Sequence, residues 1–341
     1  MDLASLEGAD AVAFCCPSCR GPLTSDSTGY ACRGCQRRHP IICGIPDFRL
    51  FPDPYISFED EYAKVRRLAE EADRVSFEAL VRFYWEITPE VPRPMAERFI
   101  RYALTGAERA GPCLATMDSK ADGRWTGARC LDVGCGTGGF LAAARERFGT
   151  LVGADIALRW LVVARKRLMA TGRIALVCCS AEALPFPDRT FDAVVGLHVL
   201  EHAADPQAIL SETVRTLKTS GWCYFSTPNR FSLGPEPSVR VWGVGFVPRS
   251  LASRYVRLVR GIPYRNIRTL SCFEVRRMVL RAGLPTWSMS PPRLAECEQQ
   301  TLSGPARRIA RLYQLLQEVP VFRHLLLAVG PFLQVVGRKH G

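Results

Sequence analysis

An α/β fold is predicted: a parallel sheet with helices on both faces, a small metal-clipped module ahead of it, and helical appendages. Three observations carry the prediction. From Arg129 onward short apolar runs alternate with segments of helical period, the pattern of βαβ units. The first run ends in a glycine-dense turn, LDVGCGTGGF, and the chain begins with two Cys-x-x-Cys knuckles, CPSC and CRGC. Composition agrees, since 48% hydrophobic residues can bury a large core with smaller appendages.

Cys16, Cys19, Cys32 and Cys35 make C-x2-C-x12-C-x2-C, four thiolates suited to tetrahedral zinc, in a module over residues 1–48 that closes at GIPDF. So short a module has little core, and a metal supplies the missing stability. A redox pair would sit beside a βαβ pattern, which is absent here; Cys15 and Cys43 are spare. A helical connector or lid is expected over residues 49–110. In it Tyr62, Val65, Leu68 and Ala69 recur at helical spacing, and a second helix starts after Pro94.

The sheet domain is expected over residues 111–290. RCLDV, LVGADI and IALVCCS read as its first three strands, with FLAAARERF and LRWLVVARKRLMATG as helices between them. FDAVVGLHVLEH is a fourth strand with its C-terminal loop, DPQAILSETVRTLKTSG a helix ended by Gly221, and WCYFSTPN a fifth strand. An insertion over residues 229–270 follows; SCFEVRRMVLRAGL is then a helix capped by Ser271, and TWSMS a sixth strand. Residues 291–341 are expected to end the chain as helices, from about 304 to 338.

The formal charge is +12, and it is unevenly spread. No acid lies between Pro237 and Phe273, while seven arginines fall between Arg240 and Arg268. Such a field favours phosphate, a polyanion or an anionic membrane surface, or is a solvated basic face. The start MDLASLEGADAVAF lacks a basic stretch followed by an apolar one, so a cytoplasmic location with reduced thiols is expected. The greasiest segment, VPVFRHLLLAVGPFLQVVGRK, is broken by Arg323, His324 and Pro331 and does not span a membrane.

Asp132 ends the first strand, and Gly134, Gly136, Gly138 and Gly139 occupy the turn, where a ligand can approach backbone unobstructed by Cβ atoms. Gly134, Gly136 and Gly139 also fit G-x-G-x-x-G, so a dinucleotide site is the competing reading. Asp155, at the end of the next strand, suits ribose hydroxyls in both.

LDVGCGTGGF, GADI, AEALPFPDRTFD and HVLEH together resemble the motifs of class I S-adenosylmethionine-dependent methyltransferases, in particular the type 11 group that contains the ubiquinone and menaquinone biosynthesis enzymes. The resemblance covers roughly residues 129–290 and implies a Rossmann-like class I methyltransferase sheet. It implies S-adenosylmethionine held by Asp132, Gly134, Cys135, Gly136, Gly138, Asp155, Ile156, Ser180, Ala181, Glu182 and His198. Asp132, Gly134 and Gly136 would border its methionine part, Asp155 its ribose, and the loop after the third strand its adenine. Relatives commonly carry Asp-Ala where this chain has Ser180-Ala181, which replaces a carboxylate by a neutral acceptor and leaves Glu182 to be recruited.

Methyl transfer from a sulfonium needs an in-line nucleophile, with a base when the acceptor begins protonated. His198 in LHVLEH is the first catalytic candidate, ahead of His202 and Glu201. Trp242, Phe246 and Tyr255 either line an acceptor pocket or pack the insertion. The expected acceptor is a small molecule or a lipid-linked intermediate, the C-terminal helices making peripheral membrane contact or docking on the core. RNA of the rRNA or tRNA kind is the alternative partner, its bases stacked on the insertion's aromatics and its phosphates met by the arginines; CPSCRGPL, CRGCQRRHPI and GIPDF resemble zinc ribbons that activate some methyltransferases or precede certain ribosomal RNA methyltransferases. A non-catalytic module that binds S-adenosylmethionine is the third reading.

Overall fold

The structure is a computed structural model and describes residues 12–121, 125–169 and 174–340. The opening segment read for a leader therefore lies outside the described residues up to residue 11, as do Ala170 to Arg173 at the end of LRWLVVARKRLMATG and beyond it.

The Cys-rich front folds as an antiparallel meander of β1 (Leu23–Asp26), β2 (Gly29–Cys32), β3 (Arg38–Ile42) and β4 (Ile45–Pro46). The chain leaving it continues into the main sheet: Asp47 bridges Cys178 in parallel, and the Phe48 N–H donates to the Cys178 carbonyl at 2.7 Å. Next come α1 (Phe58–Ala72), α2 (Phe77–Glu86), α3 (Arg93–Leu104), α4 (Gly106–Arg109) and α5 (Gly111–Ala121). Ser57 and Ser76 cap α1 and α2 by accepting from the backbone N–H of Asp60 and Ala79. Val65 and Leu68 are buried on α1 as expected. Tyr62 is exposed, however, and Glu61 takes its place inside, because Glu61 pairs with Arg49 and Arg159.

The main domain continues through β5 (Arg129–Val133), α6 (Gly139–Ala144), β6 (Thr150–Asp155), α7 (Leu158–Leu168), β7 (Ile174–Cys178), β8 (Phe191–Leu197), α8 (Pro206–Thr216) and β9 (Leu217–Pro228). After these come α9 (Arg249–Arg260), α10 (Cys272–Arg281), β10 (Thr286–Ser290), α11 (Glu296–Thr301), α12 (Gly304–Glu318), α13 (Pro320–Val329) and β11 (Phe332–Arg338). The seven strands lie in the order β10-β11-β9-β8-β5-β6-β7. Those from β7 across to β9 pair in parallel, while β11 pairs antiparallel with both β9 and β10. Successive strand residues feed opposite faces: Cys130 and Ala193 join a cluster with Val65 and Leu80, whereas Leu131 and Val194 join one with Phe48 and Leu210.

Two expected elements change. The helix written as ending at Gly221 stops at Thr216, because Leu217 pairs with Phe191 and is fully buried. The chain then bulges, with Ser220 at φ 66°, before Trp222 pairs with Ala193. The helices expected to run to 338 end at Val329, and Phe332–Arg338 is a strand between two neighbours. Val335 and Val336 suit a strand covered on both faces, and residues 333–337 are all buried. The C-terminal segment is therefore not wholly helical; part of it completes the sheet. Ser271 does cap α10, in a full capping box with Glu274.

Candidate cofactor and acceptor site

Ligands of open α/β sheets bind outside the C-terminal ends of the strands, where connections leave in opposite directions. Here that point lies between β5 and β8, and the glycine turn crosses it. Gly134 sits at φ 73°, and a Cβ there would come within 2.9 Å of Val199 side-chain atoms, so any other residue is strained and crowded. Gly139 admits a second backbone: its Cβ would lie 2.7 Å from the Gly106 carbonyl carbon, which brings α4 against α6. The turn is pinned to β6 by the N–H groups of Gly134 and Cys135, which both donate to the Ala154 carbonyl.

Asp155 accepts one bond on each oxygen, from the Gly136 N–H and the Ala157 N–H, both at 2.8 Å. Its pKa is raised by burial in spite of those two donors. Asp132 is buried beneath the turn; burial, and then the Asp155 carboxylate, push it up to about 8. The Cys179 N–H donates to the Asp155 carbonyl at 3.0 Å, so the loop that begins at Ser180 leaves the sheet next to the β6 strand end. Among the described residues the buried Ser180 hydroxyl has no hydrogen-bond partner. Glu182, in contrast, is occupied, accepting from the Ala204 N–H at 3.1 Å.

At the end of β8, His198 adopts φ 59° with its N–H donating to the Ser226 carbonyl of β9. Its Nδ1 lies 3.5 Å from Glu201 Oε1, and its ring meets Phe332 edge-on at 5.3 Å. Glu201 also accepts from Thr227 Oγ1 at 3.1 Å. Burial alone would raise the Glu201 pKa, yet His198 and His202 hold it below the ordinary glutamate value. His202 Nδ1 lies 2.6 Å from the Tyr55 hydroxyl, which also donates to the Asn266 carbonyl, while the Asn266 side chain donates to the Pro54 carbonyl. The connector and the insertion thus meet beside His202. Trp242 and Phe246 are largely exposed, and the Tyr255 hydroxyl donates to the Trp242 carbonyl; the insertion's own core is Val239, Val241, Val244, Ala252, Val256 and Tyr264.

The sulfurs of Cys16, Cys19, Cys32 and Cys35 converge within 4.8 Å of one another, with Cys16 to Cys35 at 3.5 Å and Cys19 to Cys32 at 3.4 Å. Bonds of about 2.3 Å to a central zinc place tetrahedral sulfurs roughly 3.8 Å apart, so the donor set fits that ion. Cys15 and Cys43 stay outside the cluster. The first knuckle holds Arg20 at φ 62°, and Arg20 reaches out to the Leu184 carbonyl at 2.7 Å and to Glu212 at 2.7 Å. The Cys15 N–H donates to the Pro185 carbonyl at 3.0 Å. The module therefore grips the loop that follows Ser180.

A further set of residues has almost no signal in the sequence. Arg159 of α7 pairs with Asp53 at 2.6 Å and Glu61 at 2.8 Å, and Arg49 pairs with Asp47 at 2.6 Å and with Glu61. Arg49 also donates to the Ile156 carbonyl at 3.3 Å, next to Asp155. These partners lie up to 107 residues apart, beyond the reach of any local pattern. A charge at position 159, between Leu158 and Leu161 on a buried helix face, is the one hint that was available.

Comparison with known proteins bears on this site. Residues 131–225 match the family model described as a methyltransferase domain. The chain is 37% identical over 136 residues to a ubiquinone biosynthesis O-methyltransferase of Idiomarina loihiensis, covering 39% of this chain and 53% of that protein. It is likewise 37% identical over 136 residues to a demethylmenaquinone methyltransferase of Clavibacter sepedonicus, with the same coverages of 39% and 53%. The chain thus spans about half the length of these curated relatives. Among solved structures, a phosphoethanolamine N-methyltransferase 2 of Haemonchus contortus overlaps at a TM-score of 0.46 and 18% identity, over 67% of this chain and 52% of that one.

Proposed function

We propose that this chain, whose central domain is a class I S-adenosylmethionine-dependent methyltransferase domain, transfers a methyl group to a small-molecule or lipid-linked acceptor. The observation that carries the reading is the orphaned Ser180 hydroxyl at the start of the loop after β7. A buried polar atom without a partner costs stability, and a ligand that supplies the partner recovers it. When bound, S-adenosylmethionine supplies a methyl group on a positively charged sulfur.

The chain's own residues divide the remaining work. Asp155 has acceptor capacity left for ribose hydroxyls, and Ser180 meets the adenine edge. Gly134, Cys135, Gly136 and Gly138 let backbone close on the donor, Asp132 and Ile156 flank it, and Ala181 adds a small wall. Glu182 holds the loop through Ala204 rather than replacing the missing carboxylate. His198 accepts the acceptor's proton, and Glu201 orients its ring as a positioning residue. Cys16, Cys19, Cys32 and Cys35 hold a zinc ion as a closed structural set, with no open position for chemistry. The site of action is the cytoplasm and its membrane face.

Two measurements test this. Labelled donor incubated with the full chain and separated lipid, metabolite and RNA fractions is expected to label lipid or metabolite; label in RNA would move the assignment to nucleic acid. No label anywhere, with donor binding intact, would leave a binding module. By calorimetry, Asp155→Ala is expected to weaken donor binding tenfold or more, and Ser180→Ala by about two- to tenfold while keeping thermal stability. Unchanged affinity in both variants removes the site assignment.

A further inference from the structure

Among the described residues, the last two helices leave an apolar face uncovered. On α12, Ala310, Tyr313 and Gln317 are buried; the Tyr313 hydroxyl and the Gln317 amide both donate to the Pro292 carbonyl. The stripe beside them is open: Ile309 is 67% exposed, Leu315 68%, and Leu312 lies between. On α13, Val321 is 76% exposed, and Phe322 and Leu325 are exposed with it. Apolar side chains concentrated on two adjoining helices mark a docking surface rather than scattered surface residues.

Its charge says what docks. From Leu302 to the end of the chain Glu318 is the sole acid, and Arg293 holds it at 2.7 Å. Arg308 and Arg311 are exposed on α12 alongside the apolar stripe. Apolar residues bordered by arginines match an anionic bilayer, whose acyl boundary takes the first and whose headgroups take the second.

The position of the hairpin adds a second argument. The Leu233 N–H donates to the Val329 carbonyl, and the Asn229 side chain donates to the Leu327 and Ala328 carbonyls, both at 3.1 Å. The end of α13 is thereby tied to the segment leaving β9, and Phe332, three residues on, meets the His198 ring. The hairpin that carries the uncovered face is thus anchored, at the end of α13, to the segments that flank His198.

We infer that the α12–α13 hairpin docks this protein on an anionic lipid bilayer, presenting the acceptor end of the site to lipid. The inference deepens the lipid-linked branch of the proposed function and rests on it for its purpose, while the docking geometry stands apart from any methyl transfer.

Co-sedimentation of the full chain with phosphatidylcholine vesicles, with and without phosphatidylglycerol, tests it. Binding is expected to need phosphatidylglycerol, to fall as salt rises, and to drop about tenfold or more in Ile309→Asp/Leu315→Asp. Arg308→Ala/Arg311→Ala, at exposed positions that leave the fold intact, is expected to lose about tenfold or more by removing two basic side chains. Equal binding of the parent to both vesicles, or equal binding of parent and variants, overturns the proposal. A parent that binds neither vesicle but is dimeric by ultracentrifugation, with the aspartate variant monomeric, shows that a second copy covers the face and also overturns it. Calorimetric donor binding of each variant reports separately on the methyltransferase reading, so failure of one is not mistaken for failure of the other.

Discussion

Asp132 is a buried carboxylate under the turn that Asp155 holds, and the Asp155 carboxylate adds to the cost of ionising it. Asp132, pushed from 3.8 up to about 8, binds more protons folded than unfolded between those values. Its contribution to stability is full below about pH 4 and is lost as pH rises towards 8. Asp132→Asn should remove that slope: its melting temperature should vary less across this range and exceed the parent's by a few degrees at pH 8, while donor affinity falls. A variant that melts below the parent at pH 8 would contradict this assignment. These two aspartates were legible in the sequence because a strand-end acid before a glycine turn is a local pattern. Ser180 was legible as a departure from a familiar string, but the isolation of its hydroxyl depends on neighbours from elsewhere in the chain. Tyr55, 147 residues from His202, was not legible at all.

At the scale of elements, the Cys module acts as a latch on the loop that follows Ser180. Glu212 of α8 accepts from the Leu184 N–H at 2.9 Å, and Arg20 and Arg215 both reach Glu212 and the Leu184 carbonyl. Arg20 is aimed by the turn that brings Cys16 and Cys19 together, so the four-cysteine cluster and the loop are mechanically one unit. Arg20→Ala should weaken donor binding about three- to tenfold while the four thiols still bind one zinc per chain. Stripping the metal from the parent should weaken it comparably, and stripping it from the variant should add little. Calorimetry with metal analysis measures all three, and full affinity after both treatments would show that the ribbon and the site are uncoupled. The same scale holds the clearest departure from helical expectation, at Leu217. Its i, i+3, i+4 neighbours continue the pattern of α8, but the partner Phe191 on β8 draws it into the sheet.

Over the whole molecule, β11 decides where the domain ends. It pairs along its length with β9 on one side and β10 on the other, so it closes the sheet rather than hanging from it. Deleting residues 332–341 should expose two strand edges and the apolar faces over them. The expected result is aggregated protein without a cooperative melt, checked by size-exclusion chromatography and thermal unfolding. A soluble truncation that melts like the parent would return this segment to the status of an appendage. The buried cluster of Arg49, Asp53, Glu61 and Arg159 works at the same scale, joining the exit of the Cys module, the connector and α7 beside Ile156. By itself the sequence determined what local spacing encodes: the alternation of strands and helices, the glycine turn with its two aspartates, and the four cysteines. The tertiary structure alone decided that FLQVVGR is a strand, that Arg20 holds the loop after Ser180, and that the α12–α13 hairpin keeps an apolar face uncovered among the described residues. The physical reason is one of range, since backbone pairing, buried ion pairs and burial itself are properties of partners that folding brings together from distant parts of the chain.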